Sequence, residues 1–319
     1  MNIFKQLSFK NRMDASKQAY DSLYCPTEED HKKTQQVLLG MYLDVAAVCK
    51  KYGLRLMLGG GSALGSVRHG GFIPWDDDID LMLPRRDYEI LKANFDAELG
   101  QKYVLNVPGL EGHDVTNLFM KIGLKGTKRT EISNVLAPGG NCLTIDIFPM
   151  EFAPEKRFRR LIKGFCADAL AYIAVSGFRF KYRNELEKKV LTSTPAGFIS
   201  YYLRMCLGAL TTFLPYEKWY AVYDKYVQEP ESSLITMPTG IRHYFGELRE
   251  FSVMLPVSSG VFEGERVMLP GDVHTYLHKL YGSDYMLPPE ESKRERHFYV
   301  ELVLPKSEQK AEAIASTAQ

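Results

Sequence analysis

Apolar residues recur at helical spacing between residues 31 and 52. Val37, Leu38, Met41, Tyr42, Val45, Val48, Cys49 and Tyr52 line one side, and Gly53 follows as a stop. The pattern predicts an amphipathic helix. The run LRLML at 54–58 reads as a short buried strand that enters the turn Gly59-Gly60-Gly61-Ser62. Ser62 is expected to cap a short helix that continues through Val67 and stops near Gly70-Gly71. From Asp78 the period changes to two. Asp78, Asp80 and Met82 fall on one face, and Ile79, Leu81 and Leu83 on the other. This predicts a strand with a wet acidic edge and a dry back. Pro84 suits the first turn of the next helix, which carries Tyr88, Leu91 and Phe95.

Further strands are predicted at 103–107, 117–124 and 143–148. In the last, LTIDIF, Asp146 faces opposite to Ile145 and Ile147. The stretch 157–226 is mainly helical, with breaks at Pro195 and Pro215. Turn signals at Gly260, Gly264 and Pro270-Gly271 precede a helix over Val273–Tyr281. The final KSEQKAEAIASTAQ reads as a frayed tail.

Composition narrows the class. The chain has 319 residues, 45% hydrophobic and 25% charged, which suits a globular protein with a sizeable core and not a disordered chain or a fibre. A formal charge of only +1 gives no basic field for nucleic acid, and none is expected as a partner. The five cysteines are widely spaced and form no CxxC pair. That argues against structural zinc and a redox dithiol, and for thiols in a reducing compartment. The N-terminus MNIFKQLSFKNRMD has no apolar core of a signal peptide, so a cytoplasmic protein is expected. The nearest approach to the ~18–20 apolar residues that span a bilayer is 198–214, which contains Arg204 and precedes Pro215. It reads as a buried helix or as one lying in a membrane surface.

The acidic run changes the picture most. Two aspartates at i and i+2 on a strand point the same way, with Cβ atoms roughly 6–7 Å apart. Such like charges are costly unless something positive sits between them. A hard cation, Mg²⁺ or Mn²⁺, is the usual remedy, because it prefers carboxylate and phosphate oxygens. Asp146 on a neighbouring strand would complete a triangular site with Asp78 and Asp80. An acidic turn of solvated aspartates is the plain alternative, and the density of Asp76-Asp77-Asp78-Ile79-Asp80 argues against it. The turn upstream adds a second component. Glycines such as Gly61 let backbone approach a ligand closely, and a helix N-terminus presents N–H groups to anions. Ser62 is a candidate phosphate donor as well as a cap. Arg68 is a candidate for the leaving diphosphate, against a surface arginine, and His69 for similar work, against a core histidine. His274 and His278, at i and i+4 on a helix, read as a surface face and not as metal ligands.

The segment GSALGSVRHGGFIPWDDDIDLMLPRRDYE resembles the signature of the LicD family of phosphocholine transferases. The resemblance extends to LTIDIFPM and returns in FEGERVMLPGDVHTYLHKLYGSDYMLPPEESKRERH. It also reaches fukutin-related protein, which transfers ribitol phosphate. The helices at 157–226 lie outside it. Many family members read Gly-Thr-Leu-Leu-Gly where this chain has Gly61-Ser62-Ala63-Leu64-Gly65, which keeps a hydroxyl.

The resemblance implies an α+β fold: a nucleotidyltransferase-like mixed sheet flanked by helices, with a largely helical insertion and a C-terminal extension. The expected divisions are an N-terminal extension (1–30), the core with its metal site (31–150), the helical insert (151–230), a C-terminal part completing the donor site (231–305) and a flexible tail (306–319). It implies a transferase in which Asp76, Asp78, Asp80 and Asp146 hold Mg²⁺ or Mn²⁺, with Asp146 as base or ligand. The donor would be a CDP-activated alcohol such as CDP-choline, and CMP would leave. The acceptor would be a sugar hydroxyl of a cell-surface glycan, lipopolysaccharide or teichoic acid, free or lipid-linked, with peripheral contact at the inner membrane face through 198–214. Trp75, Tyr281 and Tyr285 are candidate aromatic contacts for a quaternary ammonium, and His297, beside Arg294 and Arg296, for the donor phosphate. The alternatives are a nucleotidyltransferase acting on a small molecule, which would release pyrophosphate, and a non-catalytic glycan- or nucleotide-binding protein.

Overall fold

The computed structural model describes residues 23–113, 115–291, 294 and 297–305. The N-terminal stretch through residue 22, the tail from 306 and Arg296 lie outside the described residues, and with them the expectations placed there.

The first helix, α1 (Glu28–Lys51), starts where a capping box allows it. Thr27 Oγ1 accepts from Asp30 N at 3.2 Å, and Asp30 Oδ2 accepts from Thr27 N at 2.8 Å. Its acidic first turn and Lys50-Lys51 at its end suit the helix dipole. Leu38, Met41, Tyr42, Val45, Val48 and Cys49 are buried, and Gly53 stops the helix at φ +66°.

The core is a mixed sheet. Its strands are β1 (Met57–Leu58), β2 (Asp80–Pro84), β3 (Tyr103–Asn106), β4 (Met120–Leu124), β6 (Thr144–Ala153), β7 (Leu234–Thr236), β8 (Arg249–Glu250), β9 (Ser258–Phe262) and β10 (Glu265–Leu269). They run in the order β3-β4-β6-β2-β1-β10-β9, with β7 on the far half of β6 and β8 on β7. β2 is parallel to β6, and β1 is antiparallel to β2 and parallel to β10. The C-terminal hairpin β9–β10 thus completes the sheet begun near residue 57. A separate ribbon joins β5 (Lys128–Thr130) to β11 (Glu301–Val303). The expected α+β class, a mixed sheet flanked by helices, is what the chain forms.

Ile79, Leu81, Met82 and Leu83 are fully buried, and burying each contributes roughly 1.5–3 kcal/mol. Here the structure corrects the alternation. Asp78 lies just before the strand, and the acidic edge ends at Asp80. Met82 is covered because Gly59 presses on it, where an added Cβ would fall 2.8 Å from its Cγ, and Tyr276 Oη lies 3.4 Å from its sulfur. Pro84 closes the strand and stands as the N-cap of α3 (Arg85–Glu98), one position earlier than expected. The strand expected at 143–148 runs on through Ala153, because its second half pairs with β7.

Four helices stand between β6 and β7: α4 (Arg157–Lys181), α5 (Glu185–Leu191), α6 (Pro195–Leu210) and α7 (Tyr216–Val227). Pro195 begins α6 and Pro215 is the N-cap of α7, so both prolines mark the breaks expected of them. The insert is tied to the core by a buried ion cluster. Arg85 pairs with Glu151 of β6 and, at 3.0 Å, with Asp224 of α7. The reading of 198–214 as a buried helix is corrected. Phe198, Ile199, Leu203, Leu210 and Phe213 are more than half exposed. Among the described residues, α4 is the helix long and apolar enough to cross a membrane. Yet it packs on one side through Ala167, Ala174 and Phe178.

Candidate active site

The short helix α2 (Gly60–His69) begins directly against the acidic loop. Its N-cap is Gly59, not Ser62, because the chain turns into helix at Gly60 with φ +44°. A Cβ on Gly60 would fall 2.5 Å from Asp80 Oδ2, and one on Gly61 would fall 2.8 Å from Asp76 Oδ2. Two glycines therefore make the room in which two carboxylates meet a helix N-terminus. Ser62 is buried in the first turn, and its Oγ accepts from Asp80 N at 2.9 Å. Gly59 N donates to Asp80 O at 2.8 Å, and Gly60 N to Tyr276 Oη at 2.9 Å. The start of β2 is thus fixed to the start of α2. Gln35 of α1 secures the loop from behind, donating to Asp76 O at 2.7 Å.

Asp80 and Asp146 are paired in register on the parallel strands β2 and β6, and Lys121 is paired with Asp146 from β4. Three charged side chains therefore stand abreast on one face of the sheet. Lys121 Nζ lies 3.3 Å from Asp146 Oδ2 and 3.7 Å from Glu131 Oε1, and Lys121 is 4% exposed. Burial works against its charge, but Asp146 and Glu131 outweigh it and raise its pKa. Burial raises the Asp146 carboxyl above the usual range, with Asp78 and Glu131 adding to the rise and Lys121 and Arg129 opposing it. Burial, then the charges of Asp78, Asp77 and Asp80, push Asp76 well above that range. Asp78 thus acts on both Asp76 and Asp146, and the four expected carboxylates form one electrostatic cluster.

Asp77 is set apart from them. It is 2% exposed and accepts from His297 Nδ1 and, at 2.7 Å, from Tyr299 Oη. Arg129 donates to its backbone oxygen at 2.8 Å. Burial alone would raise its pKa, but these partners hold it well below the usual carboxylate range. Asp77 is the anchor by which the segment before β11 holds the acidic loop. His297, expected near a donor phosphate, stands at that anchor.

Most of the remaining candidates contact one another. Arg68 donates to Tyr285 O at 2.9 Å, and its Nε lies 3.4 Å from His69 Nδ1. His69 meets Trp75 edge-on at 6.4 Å, and the Arg294 guanidinium lies 4.3 Å above the Trp75 ring. Tyr285 Oη is 2.6 Å from His274 Nδ1, and Tyr281 is 40% exposed. His274 and His278 lie on an exposed helix face, as expected. Sequence reasoning missed Lys121, Arg129, Glu131, Asp77 and Tyr299. The signal for Lys121 was available: a lysine inside the apolar strand MKIGL requires a buried partner.

Four hard carboxylates, crowded enough that Asp76 responds chiefly to burial and to its acidic neighbours, make a donor set that fits Mg²⁺ or Mn²⁺. Among the described residues no three such side chains already stand at coordinating spacing. The carboxylates are gathered but not at coordinating spacing. A groove of about 680 Å³ opens between Val135, Leu136, Phe180, Arg183, Tyr201 and Tyr202. Its Val135 wall follows Glu131 by four residues.

Residues 53–161 match the family model described as LicD/FKTN/FKRP, nucleotidyltransferase domain. The chain is 24% identical over 288 residues to the lipopolysaccharide cholinephosphotransferase LicD of Haemophilus influenzae, an alignment covering 86% of this chain and 98% of that protein. It is 54% identical over 56 residues to ribitol 5-phosphate transferase FKRP of mouse and of human, covering 18% of this chain and 11% of each relative. The matched segment contains the glycine turn, the acidic loop, β2, β4 and all of β6, so the likeness to the LicD/FKTN/FKRP nucleotidyltransferase domain falls on the part of the chain that builds this site.

Proposed function

We propose that the protein transfers phosphocholine, or a related phospho-alcohol, from a CDP-activated donor to a sugar hydroxyl and releases CMP. The observation that carries this reading is the register of Asp80 with Asp146 beside Lys121, under a helix N-terminus opened by Gly60 and Gly61. Similarity to two transferases of substituted phosphates supports a phosphotransferase. The donor diphosphate would lie at the N-terminus of α2, where backbone N–H groups and the helix dipole favour an anion. A divalent cation held by Asp76, Asp78 and Asp80 would supply stabilisation of negative charge on the phosphate oxygens.

The acceptor hydroxyl oxygen forms a bond to the distal phosphorus. The bond from that phosphorus to the bridging oxygen breaks, and its electron pair leaves with CMP. The hydroxyl proton passes to Asp146, whose raised pKa suits it to hold a proton. Lys121, 3.3 Å from Asp146, orients the carboxylate. We place the acceptor in the groove beside Val135 and Tyr202.

The test is CMP release from CDP-choline and from CDP-ribitol, with saccharide acceptor, before and after chelation of divalent metal. CMP from one donor, lost on chelation and in Asp80→Ala, supports the reading and names the alcohol. Pyrophosphate release from a nucleoside triphosphate, with no CMP from either donor, would replace it with nucleotidyl transfer.

A further inference from the structure

We propose that the exposed faces of α4 and α6 dock this protein on an anionic lipid bilayer. On α4 the outward positions are Phe158, Leu161, Ile162, Phe165 and Tyr172, a stripe at helical spacing. On α6 and just beyond it, Phe198, Ile199, Leu203, Leu210 and Phe213 form a second, with Tyr202 between the stripe and the groove. These side chains point outward because the other sides of the helices are committed. Gly208 seats α6 on α4, since a Cβ there would fall 2.5 Å from Phe180 Cβ and from the Ser176 carbonyl oxygen. Arg204 lies over Tyr172 at 5.0 Å, where the α4 stripe ends.

Charge decides the occupant. Residues 195–214 contain no aspartate or glutamate, and α4 contains only Asp168. Exposed Lys156 and Arg157 precede Phe158 at the start of α4, next to exposed Glu155, and Arg159 follows it, exposed and paired with Glu229 at 2.8 Å. Large apolar side chains flanked by lysine and arginine are the composition of a helix that lies in the headgroup region. Each basic residue near an anionic surface adds attraction that salt screens. A protein partner of the usual kind would face a site depleted in lysine and rimmed by mixed polar groups. The docking does not depend on the transfer reaction, and its test uses neither nucleotide nor metal.

The full chain is mixed with sucrose-loaded vesicles of phosphatidylcholine with phosphatidylglycerol, and of phosphatidylcholine alone, and sedimented. Light scattering reports the oligomeric state. Binding to the anionic vesicles is expected, weaker on the neutral ones and weakened by salt. Leu203→Glu with Phe198→Asp should reduce partition by about tenfold or more, as should Phe158→Asp with Phe165→Asp. These positions are exposed, so circular dichroism and thermal melting should match the parent. Wild-type protein left in the supernatant with anionic vesicles overturns the proposal. So does partition untouched by both double variants. A dimer that these variants dissociate, without vesicle binding, assigns the faces to a second copy instead.

Discussion

Asp80 and Asp146 stand side by side on parallel strands, paired in register, although 66 positions separate them in the chain. Neither strand is buried beyond this point by accident. Ile79, Leu81 and Leu83 on one and Ile145 and Ile147 on the other are fully buried, so a shift of one residue would turn both carboxylates towards that apolar face. The pair is therefore placed by the core and used at its edge. Asp80→Asn keeps the shape and removes the charge. We expect CMP release to fall by about a thousandfold or more, while the melting temperature stays within a few degrees. A variant with more than about a tenth of wild-type turnover would remove Asp80 from the reaction.

Lys121 and Asp146 form a second testable relationship. Removing one member of a buried ion pair leaves the other uncompensated, at a cost of about 3–5 kcal/mol. Glu131, at 3.7 Å, loses the same partner when the lysine is removed. Lys121→Met should therefore destabilise by about 3–5 kcal/mol in urea unfolding at neutral pH. Adding Asp146→Asn should recover part of that loss, because the buried Asp146 charge is then no longer left uncompensated. Additive losses in the double variant would mean that the two side chains do not interact.

Much of this site was legible in the chain, and the reason is physical. Asp80 and Asp146 lie on strands whose apolar partners specify which way each side chain turns, and Asp76 and Asp78 stand out by the density of the acidic run before β2. The helix α1 and the helix over Val273–Tyr281 were equally clear, because each carries a sustained apolar stripe and a stop. What was not legible came from distant parts of the chain. Ser62 looks like a cap, and only the fold reveals that its oxygen serves Asp80. The burial of Met82 depends on Tyr276, 194 residues later. The helix at 198–214 has the composition of a core helix, and composition cannot say which side another element will cover.

Gly60 and Gly61 separate two reasons for a glycine. At Gly60 the backbone is left-handed, φ +44°, and an added Cβ would meet Asp80. Gly60→Ala should destabilise by about 1–2 kcal/mol through strain alone, and should abolish activity by displacing the carboxylate. At Gly61 the only conflict is with the end of the Asp76 side chain, which can move. Gly61→Ala should leave stability within about 1 kcal/mol and reduce turnover by about tenfold or more. Equal stability losses in the two variants would show that the backbone at Gly60 is not strained.

Asp77 supplies the pH dependence. Its folded pKa is depressed by His297, Tyr299 and Arg129, so the unfolded chain binds its proton more readily than the folded one. The stability it contributes is therefore fully present above the unfolded value, about pH 4. It is lost as the pH falls towards the folded value. Asp77→Asn also keeps one oxygen and turns the other into an N–H donor, so one of the two donors, His297 Nδ1 or Tyr299 Oη, loses its acceptor. We expect it to lower unfolding free energy by about 2–4 kcal/mol at neutral pH, with the deficit shrinking below about pH 4 as wild type takes up the same proton. Urea unfolding of both proteins across the acid range measures this. A deficit that stays constant with pH would mean that hydrogen bonding alone, and not the charge on Asp77, holds the acidic loop in place.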